Sequence, residues 1–289
     1  MAERIDYASL KKGGFMKQKQ QGFFCMRVAV VGGKLTASNL KVITDISEKY
    51  GNGTVHLTSR QSVEIPYLKY EDIEQVKAEL AKDGLAPAVC GAGVRTITAC
   101  QGAEICNSGC IDTYALAKEL NERYFGRQLP HKFKIGVTGC RNNCLKTEEN
   151  DLGIKGGYVI EYKPEPCISC GLCVKACRND ALSLVDGKIV YDKEKCINCG
   201  RCVKACPVKA WDYEPGYVVT FGGLFGNTIY KGEQIVPIIT DKDILLRVAD
   251  AAIKFFEDNA KPGERFRFTI QRVGEDEFRA AINNAYEGK

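Results

Sequence analysis

Residues 167–207 read CISCGLCVKACRNDALSLVDGKIVYDKEKCINCGRCVKACP, and one pattern occurs in them twice. The first copy is Cys167-x2-Cys170-x2-Cys173-x3-Cys177; the second is Cys196-x2-Cys199-x2-Cys202-x3-Cys206-Pro207. Such short spacings let one tight loop wrap three thiolates around a cubane iron–sulfur cluster. In two-cluster folds the fourth ligand comes from the other copy. One cluster is therefore expected on Cys167, Cys170, Cys173 and Cys206, and another on Cys196, Cys199, Cys202 and Cys177. Arg178 follows the first copy where proline is usual, whereas Pro207 follows the second; the difference touches a turn and not a ligand. Zinc also takes four thiolates, but two interleaved runs of this length favour iron–sulfur. Gly171 and Gly200 suit a backbone bent close to the sulfurs.

Outside this module the periodicity alternates between helix and strand. Phe23–Val31 reads as a strand ended by Gly32-Gly33. A helix follows, with Ser38 as N-cap, Leu40, Ile43 and Ile46 on one face, and Gly51 past its end. Val55 and Leu57, then Val63 and Ile65, alternate as in half-buried strands. Ile73, Val76 and Leu80 make a helical stripe, and Asp112 caps a helix carrying Leu116, Leu120 and Tyr124 that Gly126 stops. Strands are expected at Lys132–Val137, Tyr158–Tyr162, Gly216–Phe221, Ile235–Ile239 and Arg265–Ile270. A long amphipathic helix is expected near Asp243–Asp258, and a last one carrying Phe278 and Ile282. The sum is an α+β domain interrupted by a small two-cluster module.

The 289 residues suffice for a sizeable core. The net charge of +5 comes with no Lys/Arg block, which argues against nucleic acid and leaves room for an anionic ligand or an acidic partner. The N-terminus carries no signal-like apolar core, and Phe23–Val31 is short and holds Arg27, so no membrane span is expected. A cytoplasmic location follows, and in that compartment the fifteen cysteines are metal ligands before they are disulfides.

A second constellation is Cys100-x5-Cys106 with Cys140-x3-Cys144. By itself it is open to three readings: a cluster, zinc, or buried free thiols. Its surroundings are VRTITACQGAEIC and LPHKFKIGVTGCRNNC, with FCMRVAVVGG and HLTSRQSVEIP upstream. Together these motifs resemble the siroheme-dependent sulfite and nitrite reductase family, nearest its anaerobic and small dissimilatory-type branch. The likeness runs from about Phe23 to the C-terminus.

The resemblance implies a sulfite reductase half-domain with an inserted bacterial-type ferredoxin domain. Residues 1–86 would form its ferredoxin-like part, 87–160 and 211–289 its siroheme and [4Fe–4S] part, and 161–210 the insert. Cys100, Cys106, Cys140 and Cys144 would hold a third [4Fe–4S] cluster, with Cys144 bridging to the siroheme iron. Arg27, Arg95, Lys132 and Lys134 would bind the substrate anion. Arg60 and Gln61 would contact siroheme carboxylates, and Gly222, Gly223 and Gly226 would lie near the cofactor. Proline usually follows the first cysteine of the last pair; here Arg141 stands there, which alters the turn and offers a further cofactor contact.

The chemistry suits these residue types. Sulfite and siroheme carboxylates both need cations in a partly desolvated pocket. Arginine grips oxyanions in bidentate fashion, and lysine also gives up a proton. Alternation puts Lys132 and Lys134 on one strand face and Phe133 on the other. A solvated face is the commoner fate of such a lysine pair, and a carboxylate would partner Arg27 as well as an anion would. His56 and His131 lack metal-ligand spacing and read as structural, and Cys25, Cys90 and Cys110 as buried thiols.

The expected activity is six-electron reduction of sulfite to sulfide. The alternatives are a nitrite or other small-oxyanion reductase on the same site, and an electron-transfer subunit lacking siroheme. No dinucleotide fingerprint is evident, since VVGG is only a glycine pair. Electrons would come from a ferredoxin or from flavin and iron–sulfur subunits. Relatives with two copies of the half-domain place siroheme between them. The single copy here implies a composite site, in a homodimer or a heteromeric complex.

Overall fold

A computed structural model describes residues 5–289; residues 1–4, the start of the expected N-terminal part, lie outside the described residues. The chain opens with helix α1 (Tyr7–Lys12), then strands β1 (Phe15–Lys17) and β2 (Phe23–Val28), helix α2 (Ala37–Tyr50), β3 (His56–Leu57), β4 (Val63–Lys69) and α3 (Ile73–Ala81). The strands pair in the order β1-β2-β4-β3. Alternate residues Phe24, Met26 and Val28 of β2 point inward and meet Ile43, Ile46, Val76 and Leu80 from the two helices. The α2 cap lies two residues before the expected Ser38. Thr36 accepts from Asn39 N, and the Asn39 side chain accepts from Thr36 N, a reciprocal box that Ser38 lacks. Val55 and Leu57 are exposed, so β3 is an edge strand rather than a half-buried one.

The larger part holds β5 (Gly93–Val94), β6 (Thr98–Ala99), α4 (Gly102–Ile105), α5 (Thr113–Tyr124), β7 (Lys132–Phe133), β8 (Ile135–Thr138) and β9 (Leu152–Tyr162). The cysteine module follows as α6 (Leu172–Ala176), β10 (Leu182–Val185), β11 (Lys188–Tyr191) and α7 (Arg201–Ala205). The chain returns through β12 (Trp211–Phe221), β13 (Leu224–Phe225), β14 (Ile229–Tyr230), β15 (Glu233–Gln234), α8 (Lys242–Asn259), α9 (Phe266–Val273) and α10 (Glu275–Glu287). Its sheet order is β15-β12-β9-β8-β6, with β9 parallel to β8 and antiparallel to β12. Helices α5, α8, α9 and α10 bury this sheet through Leu116, Leu120, Val248, Phe256, Phe266, Phe278 and Ile282.

Two expected strands are absent. Arg265–Ile270 is helical because Phe266, Thr269 and Ile270 recur at helical spacing and are the buried positions; Phe268, which suggests alternation, is exposed. Of Ile235–Ile239, only Ile239 bridges, to Tyr217. The β9–β12 pair is longer than expected. It runs without interruption from Leu152 opposite Phe221 to Tyr162 opposite Trp211, so the cysteine module leaves and rejoins at one end of a continuous ladder.

Candidate active site and cluster sites

Three places gather chemistry-bearing side chains. The first is a cavity of about 170 Å³ lined by Arg27, Arg60, Ser62, Ala88, Val89, Arg95, Thr96, Lys132 and Lys134. Strand β2 supplies Arg27, the β3–β4 turn supplies Arg60, and the segments around β5 and β7 supply Arg95 and the lysines. Phe133 between the lysines is fully buried against Phe256 and Phe266, which fixes both amines on the opposite face.

These cations are only partly neutralised. Arg27 pairs with Glu64, its register neighbour on β4. Arg60 instead donates to Asn150 Oδ1 at 2.7 Å and Thr96 O at 3.1 Å. Arg95 donates to the carbonyls of Val89 and Gly91, and its Nε is buried without a partner among the described residues. Burial, then the charge of Arg60, brings Lys134 down to about 8; burial and Arg265 lower Lys132. Buried Asp151 sits behind, accepting from Lys134 N at 2.8 Å and pairing with Arg265. The donor set therefore fits an oxyanion or a carboxylate. Its size suits a small oxyanion or one carboxylate arm of a larger group.

Gln61 faces away from this cavity. Its side chain brackets Ala99, donating to the carbonyl at 2.8 Å and accepting from the N–H at 3.0 Å, directly before Cys100. Gly222 and Gly223 also do not line it. Gly223 packs on the carbonyls of Glu148 and Asn150, Gly222 lies near Ile270 and Arg267, and Gly226 stands in open space.

The second place is the meeting of the Cys100–Cys106 and Cys140–Cys144 loops, at the far ends of β6 and β8. A Cβ on Gly139 would lie 2.7 Å from Gly102 Cα, so two glycines let the loops touch. Cys100 Sγ accepts from Gly139 N at 3.0 Å and Thr138 Oγ1 at 3.4 Å. Burial raises the Cys140 thiol, and the neighbouring Cys106, Cys100 and Cys144 add to the shift. Cys106 and Cys144 are exposed. Cys110 is separate: its sulfur faces the Gly139 and Gly157 carbonyls, and burial pushes it up to about 11.

The third place is the module. Ser169, Gly171, Asn198 and Gly200 all take positive φ, so both loops curl alike around their cysteines. Ser169 N donates to Cys167 Sγ, Asn198 N to Cys196 Sγ, and Ala210 N to Cys206 Sγ at 3.2 Å. The Tyr162 hydroxyl and then the Ser169 N–H hold the Cys167 thiol below its ordinary value. Cys177 joins Cys196, Cys199 and Cys202 around one small cavity, as the crossed assignment requires. Cys206 groups with Cys167 and Cys173 beside Tyr162. Among the described residues no three His, Cys, Asp or Glu side chains converge on one ion. Cluster thiolates need not do so, because each binds a different iron. Backbone N–H groups aimed at sulfur, and sulfurs spread around a core, fit cubane ligation.

No helix among the described residues is long and apolar enough to cross a membrane. The family described as "Nitrite and sulphite reductase 4Fe-4S domain" matches residues 90–289, and "Nitrite/Sulfite reductase ferredoxin-like half domain" matches residues 16–83. The chain is 38% identical over 231 residues to a subunit of the anaerobic sulfite reductase of Salmonella typhimurium, covering 73% of this chain and 68% of that protein. It is 33% identical over 279 residues to the coenzyme F420-dependent sulfite reductase of Methanocaldococcus jannaschii, covering 94% of this chain and 44% of that one. The fold matches dissimilatory sulfite reductase I with a TM-score of 0.74 at 20% identity, over 90% of this chain and 69% of that one. It also matches the NirA protein of Mycobacterium tuberculosis with a TM-score of 0.70 at 19% identity, over 99% of this chain and 48% of that one.

Proposed function

Because the chain belongs to the nitrite and sulfite reductase family of oxidoreductases, we propose that it reduces sulfite to sulfide at a siroheme coupled to a [4Fe–4S] cluster. Cys100, Cys106, Cys140 and Cys144 would hold that cluster, with Cys144 the ligand that would couple it to siroheme, and the module's two thiolate sets would hold two more. When bound, these groups would pass the six electrons singly from the external donor to the substrate. The protein's own part is to grip the anion, deliver protons and keep the charge balanced.

The observation that carries this reading is the cavity in which Arg27, Arg60, Arg95, Lys132 and Lys134 converge with one carboxylate partner between them. Arg27 and Arg95 orient an oxyanion. Lys134, with its pKa lowered by burial to about 8, is poised near neutrality to donate a proton as S–O bonds break. Arg60 serves a siroheme carboxylate. Gln61 braces the strand leading into Cys100.

The cations precede β6 and β8, whereas Cys100 and Cys140 follow them. Five to six extended residues at about 3.3 Å each give roughly 15–20 Å between the two groups. That separation supports a composite site, in which the cavity of one subunit faces the cluster and siroheme of another, in a homodimer or a heteromeric complex. The donor is an external one-electron carrier, a ferredoxin or a flavin and iron–sulfur subunit, acting through the module.

A nitrite reductase on the same site is the second reading. The matching family spans both activities, and a nitrite reductase of Bacillus subtilis is 22% identical over 92% of this chain and 26% of that one. The test is an anaerobic optical spectrum of reduced protein, before and after sulfite, from a host that makes siroheme. Siroheme bands that shift with sulfite are expected. Iron–sulfur absorption without them would overturn the reading in favour of an electron-transfer subunit. Turnover with each anion separates sulfite from nitrite.

A further inference from the structure

Arg141, which the resemblance offers only as a further cofactor contact, has no part in the cationic site. It follows Cys140, lies outside the cationic cavity, and is half-buried. Its Nη1 is buried with no hydrogen-bond partner among the described residues. The carboxylate nearest in charge, Glu148, is already engaged by buried Lys155 and by Asn143 Nδ2. Arg141 and Lys155 together therefore outweigh Glu148 by one positive charge. A guanidinium withdrawn from water without a carboxylate of its own is costly, and something else must supply negative charge.

The module is the neighbouring element that can. Its second loop docks on this face of the sheet: Tyr158 N donates to Asn198 O at 2.9 Å, and Asn198 Nδ2 donates to Tyr158 O at 3.1 Å. Lys204 Nζ donates to Asn107 O at 2.9 Å, in the loop that follows Cys106. Gly200 sits so close to the Tyr158 ring that a Cβ there would overlap it. Arg141 is attached to the Cys140 loop, whose Gly139 carbonyl packs on Gly156, while the Asn198 carbonyl packs on Gly157. Adjoining residues of β9 thus bring the Cys140 loop and the Cys196–Cys199 loop side by side. Cys199 and Cys196 accordingly bear on the Arg141 charge. Among the described residues, Cys167, Cys170 and Cys173 are not groups that bear on the Arg141 charge.

Accepting the cysteine sets as cluster ligands, as proposed above, we infer that Arg141 is a positioning residue, a shared counter-charge between the Cys140 loop and the inner module set of Cys177, Cys196, Cys199 and Cys202. It stabilises added negative charge there and so favours the reduced state of the inner set over the outer one. The geometry also orders the module: the Cys196–Cys202 loop is the one against the sheet, whereas Cys170 and Ile168 of the other loop are exposed.

The test is a redox titration of the holoprotein followed by electron paramagnetic resonance, with iron and acid-labile sulfide measured on each sample. Cys177→Ser and Cys206→Ser variants assign the two module signals. In Arg141→Gln the inner signal should become about tenfold harder to reduce, a shift of about 59 mV for a one-electron couple, while the outer signal stays put. Arg141→Lys should restore most of the shift. Glu148→Gln, which removes the opposing charge, should move the inner signal the other way and keeps the inference testable if Arg141→Gln fails to assemble. Equal movement of both module signals, or none in fully loaded variants, overturns the inference. Wild-type protein without these signals overturns instead the cluster reading on which it rests.

Discussion

Arg27 and Glu64 stand opposite each other in the β2–β4 register, and Arg27 Nε donates to Glu64 Oε1 at 2.9 Å. The carboxylate holds the guanidinium at the cavity wall and cancels part of its charge. Glu64→Gln should cost about 1–2 kcal/mol in denaturant unfolding, between the exposed and buried limits for such pairs. It should also tighten anion binding, because one more cation is left uncompensated. Weaker binding would mean that the pair's geometry matters more than its charge.

Lys134 gives the site a pH dependence with a definite sign. Its pKa is lowered by burial to about 8, so the positive charge is full below that pH and is lost as pH rises through it. Affinity for nitrite, whose own charge is constant in this range, should fall between about pH 7 and 9. A bound anion favours the charged amine, so the inflection should move upward when the site is saturated. Lys134→Met should bind weakly and show no such inflection.

The touching glycines make a paired test. Gly139→Ala forces a methyl group against Gly102 and should part the two cysteine loops, losing about one cluster's share of iron. Gly226→Ala meets nothing within 4 Å and should retain all of it. Equal iron in both variants would show that the loops adjust.

The separation of cations and cysteines along β6 and β8 is open to complementation. Chains carrying Cys144→Ser and chains carrying Lys134→Met should each be nearly inactive. If one subunit's cavity serves the other's cluster, co-expressed mixed dimers regain one intact site and measurable turnover. A fully active monomer in sedimentation would sink the composite arrangement.

Much of this is legible in the sequence because its signals are local. The module's spacings fix which cysteines share a loop, and in space Cys177 neighbours Cys196, Cys199 and Cys202 while Cys206 neighbours Cys167 and Cys173. Lys132, Phe133 and Lys134 obey simple alternation because they occupy one extended stretch. Arg265–Ile270 is ambiguous because Phe266, Phe268 and Ile270 satisfy period two while Phe266, Thr269 and Ile270 satisfy the helical period. Packing of Phe266 on Phe133 and Phe278 decides between them. Nothing local to Gln61 reveals that Ala99, 38 residues away, takes both ends of its amide. The orphaned nitrogen of Arg141 is equally hidden, since its surroundings come from a module docked from elsewhere in the chain.

The continuous β9–β12 ladder has one more implication. Tyr162 and Trp211 are register partners, so the chain departs for the cysteine module and returns from it at neighbouring points. A two-residue turn could close the same hairpin without disturbing any strand below it. The module is therefore a detachable cassette: its gain or loss would leave the host topology intact, and exchange for another small domain with adjacent termini would be mechanically simple.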